Sequence, residues 1–290
     1  MSDAIFDKYR HAGEILSRVR DEAVSKVVVG ASLLEVAEFI ENAIREKGAE
    51  PAFPCNISVN EEAAHATPSQ NDEAVFSEDM VKLDIGVHVD GYIADAAVTV
   101  DLGDNSDLVE ASEKALSSAI ENIRAGVSTA EIGSIIEDTI EGYGYKPVMN
   151  LTGHGLGRYD AHTSPTIPNR KIKKGVILNE GDVIAIEPFA TDGAGRISER
   201  GVPEIFMVQN VRPVRSHEAR ELLKELEKYK TLPFAKRWLS TDRLDVGIKQ
   251  LERAKILKSF PILREDGNGL VSQAEHTVIV EKDGCEVITI

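Results

Sequence analysis

The chain has 290 residues, of which 42% are apolar and 28% charged, a composition typical of a globular protein whose core needs no staples. Its formal net charge of −16 argues against broad binding to nucleic acids or anionic membranes, which requires a basic surface. It has two cysteines far apart in sequence, no apolar run long enough to span a membrane and no secretion signal at its start. We therefore expect a cytoplasmic protein with free thiols.

Two segments, residues 29–51 and 125–147, repeat each other without a gap. Their sequences are VGASLLEVAEFIENAIREKGAEP and AGVSTAEIGSIIEDTIEGYGYKP. In each copy a Ser-x-x-Glu capping box precedes apolar residues at helical spacing, and a glycine and a proline follow. An amphipathic pattern also precedes each copy, so the repeat predicts two pairs of helices.

Strands that carry carboxylates follow each predicted helical pair. The sequence MVKLD at 80–84 resembles VIAIE at 183–187, and DAAVTVD at 95–101 resembles EHTVIVE at 275–281. Each half therefore consists of two helices followed by strands with two acids. This order predicts a pseudo-two-fold, duplicated α+β fold whose halves face each other across a site.

The repeat also indicates how the chain is organised. We expect a single catalytic domain over residues 1–290, with halves of about 1–105 and 106–290. The two acids of the second half are much further apart in sequence than those of the first. The extra residues contain helical patterns and N-cap clusters, which predict an inserted helical subdomain at 212–266.

Asp84 and Asp95 flank a predicted β-hairpin. An Asp-Gly pair at 90–91, between alternating residues, is a strong signal for a two-residue turn. With that turn, Asp84 faces Ala97 and Gly86 faces Asp95, so the acids are diagonal neighbours roughly 7–8 Å apart. They can then bind two metal ions about 3.5–4 Å apart. The hairpin alone leaves open a half-exposed strand with two solvated acids.

Three histidines lie in segments with unusual composition. His154 lies in the glycine-rich sequence LTGHGLG, where the glycines allow the backbone to approach a metal-binding imidazole. That spacing does not match a phosphate-binding loop. Taken singly, His65, His154 and His162 each fit a structural or surface role better than a catalytic one. The zinc motifs HExxH and CxxC and the Gly-x-Ser-x-Gly nucleophile motif are absent.

Taken together, these segments closely resemble the type 2 methionine aminopeptidases, which have the creatinase/aminopeptidase or "pita-bread" fold. The resemblance covers nearly the whole chain, and the helical insertion before Glu275 is typical of type 2. The lack of a long polybasic N-terminal extension is similar to archaeal members. The matching segments are AFP at 52–54, residues 60–68, the Asp84/Asp95 hairpin, GHG at 153–155, His162, IEP at 186–188 and QAEHT at 273–277.

The resemblance implies a role for each matching residue. Two divalent ions (Co, Mn, Fe or Zn) would be held by Asp84, Asp95, His154, Glu187 and Glu275. Glu187 would also act as acid and base, and His65 and His162 would contact the substrate near the scissile amide as catalytic residues. The substrate pocket would include Phe53, Phe260 and Ala161, the last at a position where relatives often have a larger apolar residue.

The resemblance further implies a function. The enzyme would remove the initiator methionine from nascent polypeptide N-termini when the second residue is small, through water activated by two metals. It would act as a monomer near the ribosome, without nucleic acid or membrane. Two alternatives remain, an Xaa-Pro dipeptidase and a non-catalytic binding protein of the same fold. Hydrolysis of Met-Ala-Ser against Met-Pro, together with metal titration, separates them.

Overall fold

The computed structural model describes residues 2–290. Its α-helices are α1 (Asp3–Val24), α2 (Leu33–Glu46), α3 (Ser106–Asn122), α4 (Thr129–Gly142), α5 (His217–Leu226) and α6 (Leu244–Arg253). Two short 3-10 helices, Glu227–Tyr229 and Lys236–Trp238, lie between α5 and α6. Among the helices of residues 2–290, none has both the length and the apolar character needed to cross a membrane.

The strands are short and antiparallel to their neighbours. They are β1 (Glu50–Pro51), β2 (Asn56–Val59), β3 (Glu62–Ala64), β4 (Met80–Val89), β5 (Tyr92–Asp101), β6 (Lys146–Pro147), β7 (Thr152–Gly157), β8 (Asp160–Pro168), β9 (Val183–Ile186), β10 (Phe189–Thr191), β11 (Ile197–Val208), β12 (Phe234–Ala235), β13 (Leu257–Glu265), β14 (Val271–Gln273), β15 (His276–Val280) and β16 (Cys285–Val287).

The helical pairs that the repeat predicts are confirmed as α1–α2 and α3–α4. Ser32 Oγ accepts a hydrogen bond from the Glu35 N–H before α2, at 3.3 Å. Ser128 Oγ accepts one from the Ala130 N–H before α4, also at 3.3 Å. Because a serine at this position satisfies a backbone donor that the helix leaves free, each helix begins where the repeat predicts. Each serine also forms an isolated antiparallel β-bridge with a later residue of its own half, Val75 for Ser32 and Ile177 for Ser128.

Each half has one main sheet. In the first, β4 lies between β5 on one side and β1 and β2 on the other. In the second, the order is β16-β15-β9-β7-β8. Two further sheets, of three and four strands, have the orders β14-β10-β6 and β12-β11-β13-β3. The mixture of outer helices and antiparallel sheets is the predicted α+β architecture.

The two helical pairs bury their apolar faces against these sheets. One hydrophobic cluster joins α1 and α2 to β4 and β5, and a second joins α3 and α4 to the sheet of the second half. Strand β9 contributes to both clusters, because its side chains alternate between two faces. Val183 and Ala185 belong to the first cluster, and Ile184 and Ile186 belong to the second. Sheets buried on both faces hold the strand ends firmly.

The segment 212–266 contains both helices and strands. Helices α5 and α6 pack on each other around a cluster of their own, which includes Leu222, Leu251 and Phe234. The segment predicted as an inserted helical subdomain also contains strands: β12 and β13 pair with β11, and β13 also pairs with β3 of the first half. This pairing anchors the insertion to the rest of the chain by a continuous sheet.

Candidate metal centre and substrate cavity

The predicted acidic hairpin is present with the predicted register. Asp84 on β4 lies opposite Ala97, and Gly86 lies opposite Asp95 on β5. The turn residues at 90–91 have φ angles of +53° and +88°, which suit an Asp-Gly turn with both residues in the left-handed region. Asp84 and Asp95 are therefore diagonal neighbours on one face of the hairpin.

The second pair of acids lies at two strand ends. Strand β9 pairs with β15 so that Ile186 faces His276. This antiparallel pairing brings Glu187, which follows Ile186, beside Glu275, which precedes His276. His154 on β7 pairs with Ala185 on β9. A Cβ at Gly153 would lie 2.4 Å from the Ala185 carbonyl oxygen, so glycine is needed for β7 to approach β9 this closely.

Hydrogen bonds join the two halves directly behind the acids. The backbones of Ala97 and Glu275 exchange N–H···O bonds of 3.4 and 3.0 Å. The Thr277 hydroxyl accepts from the Asp95 N–H at 2.8 Å and donates to the Asp95 carbonyl at 2.7 Å. Thr99 makes the same pair of contacts with the backbone of Gln273. These bonds place the acids of one half against those of the other.

Asp95, His154 and Glu275 each offer one ligand atom, and these atoms lie within 4.8 Å of one another. His154 Nε2 is 3.9 Å from Asp95 Oδ2 and 3.5 Å from Glu187 Oε1. Asp84 lines the same cavity. The structure therefore brings together all five residues that the sequence analysis expected to bind metal.

The acids lie in surroundings that disfavour negative charge. Burial and the neighbouring carboxylates raise the pKa values of Asp95, Glu187 and Glu275 well above their ordinary range. Burial raises the pKa of Asp84 to about 7. Asp84 Oδ1 and Asp95 Oδ1 are buried without a hydrogen-bond partner, which is costly unless a cation compensates.

These observations fit a divalent cation. Four carboxylates and one imidazole supply the oxygen and nitrogen donors that Mn, Fe, Co or Zn accept, and the set contains no thiolate. A cation would also lower the pKa values of the carboxyl groups by stabilising their charged forms. Burial lowers the pKa of His154 to about 3, so its ring is neutral and its nitrogen lone pair is available to a metal.

The five candidate ligand residues and several apolar side chains line one cavity of about 250 Å³. The apolar lining comprises Phe53, Phe189, Ile205, Phe260 and Leu263. The Phe53 ring packs against the hairpin backbone, where a Cβ at Gly86 would lie 2.3 Å from it. His65 meets Phe260 edge to face, with ring centroids 5.4 Å apart. The cavity thus combines acidic and apolar lining residues.

Two further histidines, His65 and His162, line the same cavity. The rings of His154 and His162 have centroids 4.5 Å apart. Burial and His162 lower the pKa of His65 to about 4, so both nitrogens of this neutral ring are suited to hydrogen bonding. Its Nδ1 lies 3.3 Å from the Pro261 carbonyl oxygen. His65 has a φ of +63°, in the left-handed region. This conformation is unfavourable for a non-glycine residue, so contacts with the surrounding structure must maintain it.

The structure corrects one expected contact and adds two residues. Ala161 is 4% exposed and packs in the core of the first half, so it does not line the cavity. Side chains alternate along β8, and His162 therefore points to the cavity while Ala161 points away. Asn56 lies opposite Asp84 and lines the cavity, with Oδ1 buried and unpartnered. Gln273 Nε2 lies 3.4 Å from Glu275 Oε2.

Sequence reasoning overlooked Asn56 and Gln273 as candidate site residues. The register of β2 could have indicated Asn56, since that strand runs beside the acidic strand β4. Gln273 lies two residues before Glu275, so strand alternation places it on the same face. The signal for Asn56 depends on knowing which strands are neighbours, whereas the signal for Gln273 is local.

Comparison with known proteins places the chain in a class. A model of metallopeptidase family M24 matches residues 7–240, and the chain belongs to this family of metal-dependent peptidases with the pita-bread fold. It is 56% identical over 291 residues to a methionine aminopeptidase of Archaeoglobus fulgidus, with 100% of both chains covered.

Two solved structures have the same fold. A thermophilic Arx1 has a TM-score of 0.87 and 19% identity, with 99% of this chain and 91% of that chain covered. A methionine aminopeptidase of Thermotoga maritima has a TM-score of 0.75 and 23% identity, with 100% and 98% covered. At these identities the likeness concerns the fold alone.

Proposed function

We propose that the chain is a methionine aminopeptidase that removes N-terminal methionine from peptides and nascent proteins whose second residue is small. The observation that carries this proposal is the juxtaposition of five metal-ligand side chains with an apolar pocket in one cavity of about 250 Å³. This volume is below the roughly 300–1,000 Å³ of pockets that hold drug-sized ligands, and therefore suits one end of a peptide.

We propose that Asp84, Asp95, His154, Glu187 and Glu275 hold two divalent ions. When bound, such ions polarise a carbonyl and acidify water, so that hydroxide is available near neutral pH. Co, Mn, Fe and Zn are all compatible with this donor set. The Asp84/Asp95 and Glu187/Glu275 pairs come from opposite halves, so each half would supply part of the ligation.

The chain's own residues have distinct roles in the proposed reaction. Glu187 takes a proton from the attacking water and passes it to the leaving amine, as a general base and then a general acid. His162 and His65 hold the scissile amide by hydrogen bonds, and His162 stabilises the developing oxyanion. Phe53 and Phe260 hold the methionine side chain, whose thioether makes favourable contacts with aromatic edges.

We infer that the catalytic domain spans residues 1–290 and that 212–266 is an insertion within its second half. The substrates are the N-termini of nascent polypeptides, and the protein acts as a cytoplasmic monomer near the ribosome. The net charge of −16 supports action without nucleic acid or membrane. Sedimentation of the purified protein tests its oligomeric state.

Peptide hydrolysis tests the proposed activity. The protein is stripped of metal, reloaded separately with Co, Mn, Fe or Zn, and incubated with Met-Ala-Ser, Leu-Ala-Ser and Met-Pro. We expect methionine release from Met-Ala-Ser with at least one metal and much less cleavage of the other two. Preferred cleavage of Met-Pro would favour the dipeptidase, and metal binding without any hydrolysis would favour a non-catalytic binding protein.

A further inference from the structure

A buried ion pair connects the insertion to the first half. Arg237, in the 3-10 helix Lys236–Trp238, contacts Glu41 on α2, and each side chain is only 3% exposed. The indole N–H of Trp238 donates to the other Glu41 oxygen at 2.7 Å. Two consecutive residues of the insertion thus bind one carboxylate of the first half.

The same guanidinium reaches a second segment of the first half. Arg237 Nη1 donates to Thr67 Oγ1 at 2.8 Å and to the Pro68 carbonyl at 3.0 Å. The Thr67 hydroxyl in turn donates to the Cys55 carbonyl at 2.7 Å, and Glu41 accepts from the Cys55 N–H at 3.2 Å. Arg237 is therefore at the centre of a network that joins the insertion, α2 and two loops.

Both loops lead to side chains of the cavity. Cys55 is two residues after Phe53, and Thr67 is two residues after His65, whose left-handed backbone needs support. The insertion also lines the cavity, where Phe260 packs against the His65 ring. The network therefore ties the insertion to the two segments that carry Phe53 and His65.

Stability alone does not account for this network. Removing two charges from water costs about as much as a buried ion pair returns, so such pairs are often close to neutral for stability. Arg237 Nε is also buried without a partner, which adds a further cost. A planar guanidinium that binds several acceptors at once does, however, fix their relative positions.

We propose that Arg237 is a positioning residue that sets the width of the substrate pocket by holding the insertion against the segments of Phe53 and His65. This inference rests on the proposed methionine aminopeptidase activity. Arg237 does not touch the cavity and acts through the loops that it binds. The insertion is thereby a specificity element, because loosening its anchor would let the pocket accept other side chains.

The test measures the ratio of kcat/KM for Met-Ala-Ser to that for Leu-Ala-Ser in R237K and T67V. Lysine keeps the charge but cannot bind Glu41, Thr67 and Pro68 together, and valine removes only the hydroxyl. We expect the ratio to fall about three- to tenfold, mainly through a higher KM for the methionyl peptide. This ratio does not depend on the fraction of folded enzyme, so a purely structural role would leave it unchanged.

E225Q provides a matched control within the insertion. Glu225 accepts hydrogen bonds from the backbone and hydroxyls of Ser240 and Thr241 and has no link to the pocket loops. This variant should lower the melting temperature and keep the wild-type ratio.

Three results would contradict the inference. A wild-type ratio in folded R237K would overturn it, and so would a wild-type ratio in T67V if R237K does not fold. A fall in E225Q equal to that in R237K would show general loosening instead. If the wild-type enzyme releases no methionine with any metal, the proposed function itself fails, and the inference fails with it.

Discussion

The two pairs of acids reach the same cavity by different routes. Asp84 and Asp95 are 11 residues apart on one hairpin, whereas Glu187 and Glu275 are 88 residues apart with an insertion between them. Loop-closure entropy grows only by about 0.6 kcal/mol per doubling of length, so the eightfold longer connection costs roughly 2 kcal/mol more. The comparison shows that two candidate ligands can lie beside each other despite a large insertion between them when strand pairing fixes both.

The difference also concerns what fixes each pair. The geometry of the aspartate pair follows from one turn and one register, both local. The glutamate pair depends on the pairing of β9 with β15 and on the hydrogen bonds that tie this region to β5. The first pair should therefore be robust to changes elsewhere, and the second should be sensitive to the contact between the halves.

The largest effect is expected from removing an acid of the local pair. D95A should lose bound metal and lower kcat/KM by about 10³-fold or more, because the proposed ligand set would lose one of its four carboxylates. Metal content and Met-Ala-Ser turnover provide the measurement, with circular dichroism to confirm folding. D101A, the same change on the same strand outside the cavity, should keep its metal. Normal turnover by folded D95A would contradict the proposed site.

A somewhat smaller effect is expected in the second pair. E187Q should lower kcat by about 10²- to 10⁴-fold, because the amide cannot accept the proton from water, and should retain much of its metal. Single-turnover kinetics test the expected loss of kcat, and metal analysis separately tests the expected retention of metal. Loss of metal as complete as in D95A would show that Glu187 is essential for binding rather than for proton transfer.

The contact between the halves is tested by a change behind the ligands. T277V removes both hydrogen bonds to the Asp95 backbone, and we expect metal affinity to fall about tenfold, as for other groups that orient a ligand. T99V, which removes the equivalent bonds to Gln273, should have a smaller effect. Competition with a chelator gives both affinities, and equal values in T277V and wild type would contradict a role for this contact.

The smallest effect is expected on the stability of the metal-free protein. Burial raises the pKa values of all four acids, and repulsion between carboxylates raises those of Asp95, Glu187 and Glu275 further. The folded state therefore binds their protons more tightly than the unfolded state does. The free energy of unfolding should therefore be highest below the ordinary carboxyl pKa, about 4, and should decrease as the pH rises to about 7, the pKa of Asp84.

Thermal melts of the chelator-treated protein between pH 5 and pH 8 measure this decrease, expected to be several degrees. In D84N the decrease should be smaller, because one of the four titrating groups is absent. Added metal should stabilise the protein more at pH 8 than at pH 5, since metal binds the ionised acids. A melting temperature that rises with pH in the metal-free protein would show that the acids are not destabilised in the fold.

Much of the fold followed from local patterns. Both capped helices, the Asp-Gly turn and the hairpin register appear where the repeat and the alternation of residues predict them. The insertion was harder to predict, because β13 carries apolar residues on both faces and has no distinctive local pattern. Its pairing with β11 and β3 is non-local, and that pairing makes a partly sheet-like segment out of one that was expected to be helical.

The sequence by itself indicated the duplicated architecture and the Asp84/Asp95 pair, because these depend on turns, caps and spacing along the chain. The full set of five candidate ligands came from the resemblance to a known family. Only the tertiary structure decided that Glu187 and Glu275 meet that pair, that Ala161 faces the core and that Arg237 binds the pocket loops. These outcomes depend on which strands become neighbours, and such contacts arise from packing between distant segments. For this protein, local interactions form the Asp84/Asp95 hairpin, and long-range packing brings all five candidate ligands into one cavity.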